Sequence, residues 1–144
     1  GRRRAHRRRT LEENLLKEFH RRGEDRGRWD EPLTPEALQA RRSMPPRRLQ
    51  KGLRALCRQG QLEQVDGAYR LTPAGRTRAR RVVRHHRLWE LYLARKADIA
   101  ADHVHRDAEE MEHILTPELA RKLEKLLDAE RDPHGRPIPP AVEA

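Results

Sequence analysis

Four residues on one short stretch, His105, Glu109, Glu112 and His113, are spaced so that they can act together. At helical spacing, with His105 at zero, Glu109 falls at about 40°, Glu112 at about −20° and His113 at about 80°. Two imidazoles and two carboxylates thus share roughly 100° of one helical face, beside an apolar stripe of Val104, Ala108, Met111 and Leu115. Carboxylates at the edge of a core are costly to bury unless something neutralises them, and a divalent cation does so. Mixed nitrogen and oxygen ligands suit Mn²⁺ or Fe²⁺, with Zn²⁺, Co²⁺ and Ni²⁺ as competitors. The same four residues also fit a solvated acidic face with two incidental histidines. His86 and Glu90 form another candidate pair, four residues apart on an earlier helix. If that helix packs against the acidic one, His86 completes the site; otherwise His85 and His86 belong to a basic face. Glu12 and Glu13 stand near the start of the first helix, where the dipole alone favours carboxylates.

The elements that must position these residues are legible in the apolar periodicity. Residues 1–9 hold six arginines and no acid, and such a run is usually solvated and disordered. From Thr10, Leu11, Leu15, Leu16 and Phe19 share a face that Gly23 ends. Thr34-Pro35-Glu36 opens a short helix reaching about Arg42. After the break at Ser43 to Pro46, a third helix runs to about Gln59 with Leu49, Leu53 and Leu56 inside. Leu62–Val65, Asp66-Gly67 and Ala68–Leu71 read as a β-hairpin, because Asp-Gly between short strand-like runs is a strong turn signal. Thr72-Pro73-Ala74-Gly75 opens a long helix to about Lys96. An acidic helix from Ala101 to Leu115 and a helix from Thr116 to about Ala129 follow. The proline-rich tail from Asp132 carries no regular secondary structure.

Helix, helix, helix and hairpin is the order of a winged helix. The expected fold is therefore mostly α with a small β-hairpin wing: a winged helix-turn-helix followed by a helical domain that carries the candidate ligands. The expected division is 1–9 as a basic juxtamembrane or disordered segment, 10–72 as the winged helix, 73–131 as the helical domain and 132–144 as the tail.

Composition bounds the partners. The 144 residues suffice for one compact domain or two small ones. Aromatic residues make up 3%, so the core must be leucine-rich and largely helical. A formal net charge of +10 implies a polyanionic partner, nucleic acid or an anionic membrane surface, although an arginine-rich composition alone gives the same sum. Residues 45–60 carry five basic side chains and no acid, while residues 101–114 carry five acids against Arg106. The single cysteine, Cys57, excludes an intramolecular disulfide and a multi-cysteine zinc site, and it fits a cytoplasmic setting. No apolar run is long enough to span a bilayer. With no nucleophile–base arrangement and no glycine-rich phosphate loop, an enzyme is not expected.

The run Arg84-His85-His86-Arg87-Leu88-Trp89-Glu90-Leu91-Tyr92-Leu93 resembles the segment that joins the wing to the metal-binding domain in iron- and manganese-dependent repressors of the diphtheria-toxin-repressor family. Leu71-Thr72-Pro73-Ala74-Gly75, Asp102 to Leu115, and Asp132-Pro133-His134-Gly135-Arg136-Pro137-Ile138-Pro139 continue the resemblance in the right order. It implies that Glu109, Glu112 and His113 are principal ligands and that His86 joins them. It further implies an ancillary site of His105 and Glu90 with His86, and an acidic ligand at Glu13. A glutamate at 109 resembles the manganese branch; Leu16, where that branch has a second acid, departs from it. The family's dimerisation through these helices implies a homodimer, with Leu88, Trp89, Tyr92 and Met111 as interface candidates that also fit an ordinary core. The third helix takes the recognition position, so that Arg47, Arg48, Lys51 and Arg54 could contact phosphates or base edges of a DNA operator.

Two arrangements follow. The module is either the cytosolic C-terminal domain of a manganese, iron or zinc ABC transporter permease, tethered to the membrane, or a stand-alone metal-dependent repressor. The start Gly1-Arg2-Arg3-Arg4, with no initiator methionine, resembles a cytoplasmic juxtamembrane segment and favours the first.

Overall fold

The computed structural model describes residues 1–41, 43–97, 121 and 131–140. The chain divides into two compact units, Gly1–Arg80 and Arg81–Ala144. This division falls inside a helix, beyond the 72/73 boundary expected from sequence. Among the described residues no helix is long and apolar enough to cross a membrane.

The first unit holds α1 (Arg2–Arg26), α2 (Pro35–Gln39), α3 (Pro46–Arg58), β1 (Leu62–Val65), β2 (Ala68–Leu71) and the start of α4 (Pro73–Ala97). Its core joins Leu11, Leu15, Leu16 and Phe19 of α1 to Leu38 of α2 and to Leu49, Leu53 and Leu56 of α3. Leu62, Tyr69 and Leu71 from the hairpin and Ala79 from α4 close it. These are the apolar positions of the sequence pattern, now facing one another as burial requires.

Helix α1 departs from its sequence reading at both ends. It begins at Arg2 rather than Thr10, so the arginine run is helical and not irregular. It also passes through Gly23, where a Cβ would lie 2.3 Å from the Trp29 ring. The missing side chain leaves room for that indole, and the helix instead ends at Gly27, whose φ of 68° only a glycine adopts cheaply. Helix α2 is shorter than expected, ending at Gln39. Its N-cap is as read: the Thr34 hydroxyl accepts from the Ala37 amide at 3.2 Å.

The hairpin pairs Leu62 with Leu71 and Val65 with Ala68, antiparallel. Asp66 and Gly67 both have positive φ, 48° and 79°, as a two-residue type I′ turn requires. Leu33 bridges Tyr69 through backbone bonds of 2.7 and 2.9 Å, tying the α1–α2 loop to the wing. A polar knot then fixes the start of α4. Arg78 donates to Gln59 at 3.0 Å and to Gln61 at 2.5 Å, and Gln59 donates to the buried Glu12 carboxylate at 2.5 Å. Helix α1, the end of α3, the wing and α4 are thereby held in one register.

In the second unit, α4 continues to Ala97, and residues 131–140 form a tight turn closed by an Arg131–Pro137 bridge. The helices expected from Ala101 to Leu115 and from Thr116 to Ala129 lie outside the described residues.

Leu53 is fully buried and Lys51 is exposed on the same helix. Leu53→Ala is expected to cost about 2–5 kcal/mol and Lys51→Ala less than about 0.5 kcal/mol, as measured by urea unfolding followed by circular dichroism.

Candidate metal centre and nucleic-acid face

Helix α4 carries His86 and Glu90 one turn apart, both turned inward, with 5% and 1% of their surface exposed. The His86 Nε2 pairs directly with Glu90 Oε1. Glu90 Oε2 faces the Nε2 of His134 at 3.6 Å. One buried carboxylate thus stands between two imidazoles drawn from segments more than forty residues apart.

The tail is built to present that second imidazole. Asp132 Oδ1 accepts from the amides of His134 at 3.0 Å and Arg136 at 2.7 Å, and the Asp132 amide donates to the Arg136 carbonyl at 2.9 Å. Gly135 takes φ 79°, completing the turn. Two buried arginines of α4 then hold the following prolines: Arg84 donates to the Pro139 carbonyl at 2.5 Å and Arg87 to the Pro137 carbonyl at 2.7 Å. Prolines lack an amide hydrogen but keep a carbonyl, so they can be gripped only by donors such as these.

His86 and Glu90, paired on sequence spacing, are therefore brought together. His134 was not among the expected ligands, although its sequence signal, an Asp-Pro-His-Gly turn, lay in the tail motif. Glu13 belongs to the first unit, 8% exposed, with Arg9 at 3.3 Å from its carboxylate. His105, Glu109, Glu112 and His113 lie outside the described residues. Among those described, no group of three or more His, Cys, Asp or Glu is gathered in a way that could hold a metal ion. His86, Glu90 and His134 supply nitrogen and oxygen donors of the right chemistry, but the direct His86–Glu90 pair closes on itself. A cation at Glu90 needs further donors.

Of the expected dimer contacts, Leu88 has 0% of its surface exposed within the single chain and so has none left to bury against a partner. Trp89, 8% exposed, stacks on the half-buried Tyr92 with ring centroids 5.1 Å apart. Met111 lies outside the described residues.

Helix α3 turns Leu49, Leu53 and Leu56 inward and leaves Arg47, Arg48, Lys51, Arg54 and Arg58 exposed. An open groove of about 570 Å³ runs along this face, lined by Pro46, Arg47, Gln50, Lys51, Arg54 and Arg58. Four cations and no acid line it, which suits phosphate oxygens.

A winged helix with a basic third helix, continued by a long helix bearing buried histidine and glutamate, defines a metal-dependent-repressor-like module. Residues 72–140, just under half of the chain, match the iron dependent repressor metal binding and dimerisation domain. A probable metal transport system membrane protein of Chlamydia trachomatis is 46% identical over 85 residues, which cover 58% of this chain and 19% of that protein. The diphtheria toxin repressor of Corynebacterium diphtheriae is 41% identical over 75 residues, covering 51% of this chain and 33% of the repressor. The chain thus spans about a fifth to a third of these relatives' lengths. Among solved structures, a manganese-dependent transcriptional repressor in complex with manganese superposes with a TM-score of 0.79 at 32% identity, over 90% of this chain and 59% of that one. The IdeR of T. acidophilum superposes with a TM-score of 0.73 at 27% identity, over 92% of this chain and 62% of that one.

Because each buried clamp arginine donates a charged hydrogen bond to a tail carbonyl, Arg84→Ala and Arg87→Ala are each expected to cost about 1–3 kcal/mol. Amide exchange at His134 and Arg136 should accelerate in both variants while that of α3 stays as in the parent protein.

Proposed function

We propose that this chain is a metal-responsive regulatory domain of the manganese and iron type, acting as the cytosolic C-terminal domain of a metal ABC transporter permease. The observation that carries the reading is the buried Glu90 carboxylate between His86 and His134, within the segment that matches the iron dependent repressor metal binding and dimerisation domain. His86, Glu109, Glu112 and His113 would form the principal site. Glu90 and His105 would form the ancillary site with His86, His134 joins Glu90 there, and Glu13 would contribute from α1.

A bound divalent ion would supply the positive charge that lets carboxylates and neutral imidazoles share a buried space. The protein's own part is to hold the donors. The α4 backbone fixes His86 and Glu90 on one face, and the arginine-gripped tail delivers His134. Neutral histidine is required for ligation, so metal and protons compete for these donors. Because metal binds one arrangement of these donors better than another, it biases that arrangement by its differential affinity. The domain senses rather than catalyses. It would act on the cytoplasmic side of a membrane, as a homodimer, with Mn²⁺ or Fe²⁺ as the ion and Zn²⁺, Co²⁺ or Ni²⁺ as competitors.

The α3 groove favours a second reading, a stand-alone repressor that contacts an operator through Arg47, Arg48, Lys51 and Arg54. Mobility shifts at several salt concentrations, with and without Mn²⁺, test it; a shift indifferent to metal removes that mechanism. For the metal claim, calorimetric titration with Mn²⁺ and anaerobic Fe²⁺ should show His86→Ala and Glu112→Ala weakening affinity by at least about tenfold. Parental affinity in both variants would sink it. For the permease claim, the coding sequence upstream of Gly1 should encode several apolar spans, and a start codon close by contradicts it.

A further inference from the structure

The first two turns of α1 carry a charge pattern that works against the helix they form. Arg2, Arg3, Arg4, Arg7, Arg8 and Arg9 are exposed, and residues 1–9 contain no acid. Arg3 with Arg7 and Arg4 with Arg8 are i,i+4 neighbours, where like charges destabilise a helix. Arg9 is paired with Glu13 at 3.3 Å, at the point where the core-packed part of α1 begins. Each of these penalties is relieved by an anionic surface around the helix.

The distribution says which surface. With Arg2 at zero, the six arginines fall at about 0°, 100°, 200°, 140°, 240° and 340°. Cations therefore project all round the circumference, and Ala5 is the one apolar side chain in this segment. A helix lying in the plane of a bilayer needs an apolar stripe opposite its basic one, and there is none. A helix standing along the bilayer normal meets headgroups at every azimuth. Eight residues rise about 12 Å, enough to cross a headgroup layer of about 6 Å and part of the first Debye length of about 8 Å.

We propose that Arg2–Arg9 form a cationic collar that seats α1 end-on among the anionic phospholipid headgroups of a membrane. The collar is separate from the α3 groove: one basic surface is for lipid, and the other is free for a different polyanion. The inference rests on the membrane-associated reading above and names the surface that makes the contact.

The test uses the 144-residue chain and vesicles of phosphatidylcholine with and without phosphatidylglycerol. The parent protein should sediment with the anionic vesicles in a salt-sensitive manner and not with the neutral ones. A variant combining Arg3→Gln, Arg4→Gln, Arg7→Gln and Arg8→Gln should bind at least about tenfold more weakly, while unfolding at or above the parental temperature because these side chains lie outside the core and their mutual repulsion is removed. A variant combining Lys51→Gln and Arg54→Gln should bind the vesicles within about twofold of the parent, since neither residue is in the collar. The proposal is overturned if the collar variant binds vesicles like the parent, if the α3 variant loses as much, or if the collar variant loses affinity for duplex DNA instead. Metal affinity is a separate readout. Its absence removes the sensing claim and leaves the collar standing, whereas failure on vesicles removes the collar alone.

Discussion

A carboxylate with 1% of its surface exposed must have positive or hydrogen-bonding neighbours, and in the second unit that requirement falls on Glu90. His86 meets it from one turn back on the same helix, and His134 from the far end of the chain. The tail reaches Glu90 because Asp132 folds it into a turn and because Arg84 and Arg87 hold its proline carbonyls. Three otherwise unrelated features, a helical i,i+4 pair, a proline-rich tail and two buried arginines, thus serve one buried charge. Such an arrangement makes a poor stabiliser of a fold, since well-packed hydrophobic residues do that job as well or better. In the proposed reading it is one half of a metal site, where a cation would take over the neutralisation of Glu90 and leave the imidazoles as ligands.

The winged-helix unit depends on a different kind of joint. Glu12 of α1, Gln59 at the end of α3, Gln61 beside the wing and Arg78 of α4 form one polar knot. The end of α3 is therefore not independent of the first turns of α4. Gly75 strengthens the same junction, because a Cβ there would lie 1.8 Å from the Gln61 carbonyl. Whatever displaces α4 near its start must also disturb the end of the helix that carries Lys51 and Arg54.

Much of this was legible in the residues. Leu11, Leu15, Leu16 and Phe19 announced the buried face of α1, Asp66-Gly67 announced the hairpin, and His86 with Glu90 announced a pair on one helical face. What stayed hidden has physical reasons. Gly23 looked like a helix end, and only the packing of Trp29 against its bare Cα explains why the helix continues. The arginine run looked irregular because local charge repulsion is visible in sequence, whereas continuity with a core-packed helix is not. His134 was overlooked because a tail without regular structure gives no periodicity to read. Its role emerges only when Arg84 and Arg87 bring the turn to α4. Leu88 looked like a dimer contact, but its position on the helix gave no sign that the chain covers it by itself.

The central proposal is that Glu90 and its two histidines contribute to a divalent-ion site completed by further donors. Nuclear magnetic resonance of the labelled protein with substoichiometric Mn²⁺ tests it most directly, because the paramagnetic ion broadens only nearby signals. The account predicts early, selective loss of the His86 and His134 imidazole resonances. Persistence of the His86 and His134 signals at full Mn²⁺ occupancy, or broadening spread evenly over all the histidines, would contradict it.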